Sequence, residues 1–300
     1  MANQLGDMLN FGIYPAVFDA LTINHMMSVA FSTKIQKLIA RAGGSVDPAL
    51  IAEVVRENEI RMSTGDIGAV LSAVSVVNGL AVTSSGEIQY QQRRSGGTFS
   101  SNAEHVSLNS TKGMLIPNSI SSSQDSQEGA ALEISYFPLR VGSNAPFIVN
   151  VDQNLTGLPG VNYLYKQGPI VYENTLLKDI QDSRCDFGIT FEQWRGSGDV
   201  SAEEGAIVNR EPKMEFTGRN LKLLSSIGGG LSGITNGITQ YYRRVGYGDA
   251  TGNHIAVSFN AGTYEVTDVS GQGTKSVDQK VEVTCAGTVS IALDAQIPTS

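Results

Sequence analysis

A chain of 300 residues, 41% hydrophobic, with 33 glycines, 21 basic and 29 acidic side chains and a net charge of −8, has material for one large domain or two ordinary ones. Charged residues make up 17%, against about 25% in an average domain, and glycine is enriched, so many turns and an uncharged polar surface are expected, and disorder, collagen and coiled coil are excluded. The acidic balance argues against a basic nucleic-acid-binding face, and no apolar run approaches the roughly 18 to 20 residues of a membrane span.

Residues 1–10 have neither a basic start nor a hydrophobic run and read as an N-terminal arm on a protein made in the cytosol. From Ile23 to Arg41 a helical pattern competes with a strand-like one, and the similar stretch from Leu177 to Trp194, with its Cys185-Asp186-Phe187-Gly188-Ile189, decides for strand. Ile60 and Met62 alternate with Arg61 and Ser63 in a half-buried strand. Asp66 then caps a helix carrying Ile67, Val70, Leu71 and Val74 at helical spacing, which Gly79 stops. Further alternating strands are predicted at Val106 to Leu108, Leu132 to Tyr136, Ile255 to Phe259, Val281 to Cys285 and Val289 to Leu293, separated by glycine-bearing turns. The strand Met214, Phe216 leads to a second helix, capped by Asn220, with Leu221, Leu224 and Ile227 on one face and Gly228 at its end.

These elements repeat. Residues 11–71 lie over 165–225 without a gap, so that Pro15 meets Pro169, Arg41 meets Arg195, Val46 meets Val200 and Arg56-Glu57 meets Arg210-Glu211. Through loops the register drifts: Gln89-Tyr90 falls opposite Gln240-Tyr241, His105 opposite His254, Leu132-Glu133-Ile134-Ser135 opposite Val281-Glu282-Val283-Thr284, and Val149 to Asp152 opposite Ile291 to Asp294. The gaps coincide with Gly, Ser and Pro-rich stretches, where loop length is free to vary. The expectation is a mainly β chain of two tandem related antiparallel β-sandwich or barrel modules, each with a short α-helix. They span 11–155 and 165–297, joined by a linker at 156–164 and followed by a tail at 298–300.

No catalytic constellation emerges. Gly228, Gly230 and Gly233 spell G-x-G-x-x-G, but after a helix and before a turn, where no dinucleotide could meet a helix start. His105 and His254 hold the same place in the two copies and read as strand-end hydrogen-bonding residues, and His25 has no partner motif. Cys185 and Cys285 align with Phe31 and Tyr136 and read as buried, unreactive thiols, without a CxxC pair. Glu203-Glu204 reads as a solvated loop, and Trp194 as a core or interface anchor. Arg93-Arg94 and Arg243-Arg244 follow matching Gln-Tyr pairs and are assigned to contacts between subunits. No catalytic, metal or cofactor-binding residue is expected, and the chain is read as no enzyme.

Two similar modules in one chain occupy two quasi-equivalent places in a ring, so three chains give pseudo-six-fold symmetry. A strand, an Asp- or Asn-capped helix, long loops and a last strand ending in Ala295-Gln296-Ile297-Pro298 resemble the tail-tube proteins of long-tailed bacteriophages, in an internally duplicated form. The resemblance covers about 11–297 and is one of organisation. It implies a virion protein of the tail, made in the host cytoplasm, that self-assembles into stacked trimeric rings around a channel for DNA ejection. Its partners would be its own copies and other tail or head-completion proteins, with genomic DNA only passing through and no membrane. It lends no catalytic role to any residue. The alternatives are another virion structural role, such as a baseplate hub, distal tail, head-completion or capsid-surface protein, or a tandem β-sandwich binding or adhesin module.

Overall fold

A computed structural model describes residues 10–19, 21–43, 46–75, 81–93, 105–155, 163–172, 174–177, 179–219, 233–234, 237–270 and 278–299. The chain is mainly β. In the first half the strands are β1 (Asn10–Phe18), β2 (Leu21–Ile23), β3 (Met26–Ala40), β4 (Leu50–Thr64), β5 (Val82–Arg93), β6 (His105–Ser123), β7 (Ala131–Pro138) and β8 (Ile148–Gln153), with helix α1 (Ile67–Ser75) after β4. The second half supplies β9 (Tyr165–Tyr172), β10 (Thr175–Leu177), β11 (Ile180–Asp186), β12 (Ile189–Trp194), β13 (Glu204–Arg210), β14 (Lys213–Gly218), β15 (Gly233–Ile234), β16 (Ile238–Arg244), β17 (His254–Ser270) and β18 (Asp278–Ala295). The ambiguous stretch after Ile23 is one strand, β3, whereas its counterpart is two, β11 and β12, interrupted at Phe187 and Gly188, where Gly188 has φ +58°.

All pairings between these strands are antiparallel, and one sheet runs through both halves in the order β10-β9-β16-β17-β18-β14-β11-β6-β5-β1-β2. β7 bridges β6 and β4, and β3 pairs only with β4 among the described strands. β12 and β13 form a separate hairpin.

The pairing of the first half recurs in the second. Ala16 faces Ile23 and Ile170 faces Leu177. Ile13 faces Tyr90 and Gln167 faces Tyr242, each beside an irregularity of the ladder. Phe31 faces Ile60 as Cys185 faces Met214. In the outer hairpins Ile35 faces Arg56 and Ala40 faces Leu50, as Ile189 faces Arg210 and Trp194 faces Glu204, with one bulge at the same step of each. Ser107 faces Asn150 as Ala256 faces Ala292. Pro117 faces Ile134 and Ser119 faces Glu133 across a bulge, as Val266 faces Val281 and Asp268 faces Lys280.

The backbone corrects the sequence alignment in two places. Tyr90 faces Val106 and Tyr242 faces Ile255, so the counterpart of Tyr90 is Tyr242, not Tyr241. Tyr136 faces Ile60 and Val283 faces Met214, so Tyr136 answers to Val283, and Cys285 answers to Pro138. The stretches Val281 to Cys285 and Val289 to Leu293 are also one strand, β18, bent at Gly287 with φ +87°, where the first half has separate β7 and β8.

One apolar core joins the halves. Alternate residues of the strands turn inward, among them Ile60, Met62, Ile134, Tyr136, Met214, Phe216, Val281 and Val283, all 2% exposed or less. Helix α1 lays Ile67, Val70, Leu71 and Val74, each 0% exposed, on the same cluster, which reaches Tyr165 and Phe187 of the second half. Tyr136 is packed against the backbone of Gly113, where a Cβ would sit 2.3 Å from the ring, and its hydroxyl donates to the Ser84 carbonyl at 3.0 Å.

Candidate assembly interface

The halves meet edge to edge. β11 adds to the C-terminal part of β6, with Asp182 opposite Ser123, Cys185 opposite Ile120 and Asp186 opposite Ser119. Outside the ladder, the Gln124 amide donates to the Gln181 carbonyl and the Phe187 amide to the Asn118 carbonyl, both at 2.8 Å. At the centre Cys185 and Ile120 are each 0% exposed. Burial pushes the Cys185 and Cys285 thiols up to about 12, so they stay protonated and inert, as their apolar surroundings require. Beside them the Ser122 and Ser183 hydroxyls lie 3.0 Å apart and each reaches the Gln167 side-chain oxygen, so their two protons are shared among these three oxygens in the buried seam.

The β12–β13 hairpin reaches from the second half over the first. The Arg56 amide donates to the Val200 carbonyl at 2.9 Å, and Arg195 Nη2 donates to Glu57 Oε1 at 2.8 Å. Arg140 holds Asp199 at 2.7 Å and Glu203, while Lys112 Nζ donates to the Glu203 carbonyl at 3.0 Å. Phe137 and Phe191 touch with ring centroids 5.0 Å apart. Glu203, expected in a solvated loop, is therefore an anchor of this clasp. Trp194, at 51% exposure, lies outside the core.

On the sheet face away from the core, the seam carries charges of both signs, paired across strands. Lys213 meets Glu282 at 3.1 Å, Lys280 meets Glu215 at 2.7 Å and Arg184 meets Glu133 at 3.5 Å. Two open grooves of about 390 and 490 Å³ lie here, lined by serines and by Arg184, Glu133, Glu215 and Lys280. Among the described residues no three His, Cys, Asp or Glu side chains gather as a metal site would need, and no helix is long and apolar enough to cross a membrane.

Two edges comparable to those at the seam stay open among the described strands. β3 exposes Phe31 (40%), Ile35, Leu38 and Ile39, with Phe31 resting on Phe147 at 4.8 Å between ring centroids. β17, past its short pairing with β15, exposes Val269 (50%). Open strand edges of this kind, long and apolar on β3 and shorter and more polar on β17, are templates for another strand.

The residues singled out in the sequence separate into groups. Arg243 Nη2 donates to Asp249 Oδ2 at 2.8 Å, and the Arg244 guanidinium lies 3.5 Å from the Tyr163 ring centre and 4.3 Å from that of Tyr247. Both arginines thus make contacts inside the chain. Arg93 pairs with Asn10 at the end of β5, and Arg94 lies outside the described residues. The two arginine pairs do not correspond, because Arg244 answers to Gln92: its amide donates to His254 Nδ1 at 3.1 Å as the Gln92 amide donates to His105 Nδ1 at 3.1 Å. The two histidines therefore tie strand ends, and His254 Nε2 lies 2.9 Å from the Gly248 carbonyl.

Asp66 stands at the start of α1, its carbonyl accepting the Val70 amide at 3.3 Å, but its carboxylate turns back to accept the Asn24 amide at 3.2 Å. Asn220, its helix, Gly79, Gly228 and Gly230 lie outside the described residues. No sequence motif marks the seam, although Arg195, Glu57 and Val200 all fall within the two similar stretches 11–71 and 165–225. No protein-family model matches the chain, and no curated protein matches it in sequence.

Proposed function

We propose that the chain is an internally duplicated, self-assembling structural protein of a virion, most similar in role to the tail tube of a long-tailed bacteriophage. Three copies close into a ring with six quasi-equivalent β modules, rings stack, and the enclosed channel passes DNA at ejection. The observation that carries this reading is the recurrence of strand order, register and bulges in both halves, joined through one sheet edge while the comparable edges stay open among the described strands. A head-to-tail contact of that type uses two different surfaces and closes as a ring or continues as a filament. The mixed-sign, serine-rich sheet face suits a wall along which a polyanion slides, since neighbouring carboxylates prevent a purely cationic trap. Arg93, Arg94, Arg243 and Arg244 are left as secondary subunit contacts in this reading. Sedimentation of the purified chain over a wide concentration range tests it. Trimers and larger assemblies are expected to grow with concentration, and a monomer throughout would refute it.

A further inference from the structure

We infer that neighbouring copies join by repeating the chain's own internal seam: β3 of one copy adds antiparallel to the edge of β17 of the next that is unpaired among the described residues, with Phe31 opposite Val269. This rests on the self-assembly reading and gives it a partner surface and a register.

Within the chain, the seam pairs β11 with the end of β6, and its central pair is Cys185 and Ile120, both fully buried. The counterpart of β11 is β3: Cys185 faces Met214 as Phe31 faces Ile60, and these positions are separated by the same 154 residues as Ala16 from Ile170. The counterpart of β6 is β17, where Asp268 and Val269 pair with Lys280 and Gln279 as Ser119 and Ile120 pair with Glu133 and Leu132, after the same bulge. The partners of the buried pair are thus Phe31 and Val269, apolar and 40% and 50% exposed. Carrying the seam register across places Ala30 opposite Ser270 and Ser32 opposite Asp268.

The clasp repeats in part. Arg195 and Glu57 have as counterparts Arg41 and Glu211, both exposed, so Arg41 of one copy meets Glu211 of the next with the charges in the same order. Val200, whose carbonyl accepts the Arg56 amide, corresponds to Val46, which is 85% exposed and would meet the Arg210 amide in place of the Asn209 Oδ1 that accepts it at 2.8 Å within the chain. The Arg140 anchor has no such repeat, since Asp199 and Glu203 correspond to Ser45 and Ala49. The contact between copies therefore keeps the strand pairing and one ion pair, and is weaker than the seam inside the chain.

The test mixes two full-length populations, one carrying Phe31→Cys and the other Val269→Cys, under mild oxidation, with Phe31→Cys plus Glu265→Cys as the off-register control. The native thiols are buried and do not compete. A covalent dimer in the first mixture and none in the second is expected. In a parallel series Arg41→Glu and Glu211→Arg each raise the concentration for half-assembly about tenfold, and the double variant returns it toward that of the parent, because a reversed pair attracts again. Assembly without the register-specific cross-link overturns this junction and leaves self-assembly standing. Assembly in which the double variant is no better than the singles overturns the Arg41 to Glu211 contact, and a parent chain that stays monomeric overturns both readings.

Discussion

Replacing Ile120 and Val269 separately by Ala distinguishes a seam that holds the fold from an edge reserved for assembly. Ile120 is 0% exposed and faces Cys185 across the seam, so Ile120→Ala removes roughly three methylene equivalents at about 0.8 kcal/mol each and leaves a cavity between two strands that cannot close freely. A loss of about 2 to 5 kcal/mol is expected. Val269 occupies the same step of β17 but is 50% exposed, so Val269→Ala stays within about 0.5 kcal/mol in the isolated chain. In the assembly, where the exposed half of Val269 would be covered, its two lost methyl groups amount to about 0.8 kcal/mol, or roughly a fourfold weaker junction. Urea melts at a dilution that holds the chain monomeric measure the first effect, and sedimentation at rising concentration measures the second. Equal losses of monomer stability for the two variants, or unchanged assembly for Val269→Ala, would refute the reasoning.

Three further outcomes follow from local geometry. Asp66→Ala deprives the Asn24 amide of its acceptor and is expected to cost about 1 kcal/mol in a thermal or urea melt, whereas a neutral result would mean that water replaces the carboxylate. Cys185 and Cys285 should resist Ellman's reagent at pH 8 until urea unfolds the chain, and stability should fall as pH rises above the ordinary thiol value of 9.0 toward about 12. The sign follows because the unfolded thiols ionise first, and each contributes about 1.4 kcal/mol per pH unit across that window. Arg140→Ala frees Asp199 and Glu203, so amides of residues 195–203 should exchange with deuterium faster while those of β6 and β11 do not change.

Much of the β architecture was legible because its side chains alternate between a buried and a wet face. Met214 and Phe216 against Glu215 and Thr217 show that period directly. The helix at Ile67 was equally plain, since four apolar residues at helical spacing followed a good capping residue. Alternation is blind to a two-residue slip, which preserves the face, and this is why Cys285 was set against Tyr136 although the ladder sets it against Pro138. The Gln-Tyr match failed by a single residue for a different reason: two residues bounded by variable loops carry too little information to fix a register, and the arginine correspondence built on them failed with it. The seam was hidden because it is a backbone contact between segments some 60 residues apart, announced by no motif. Glu203 was misread for a similar cause: its partners Arg140 and Lys112 lie far away in sequence, in the other half.

End-on electron microscopy of the concentrated chain, with the ring mass measured on the same material, decides whether three chains close a ring. Closed rings of six similar lobes are expected, with a mass three times the 31.9 kDa of one chain, alone or stacked into tubes with a central hole. Monomers at every concentration, or a closed face-to-face dimer that leaves β3 and the end of β17 uncovered, would contradict it.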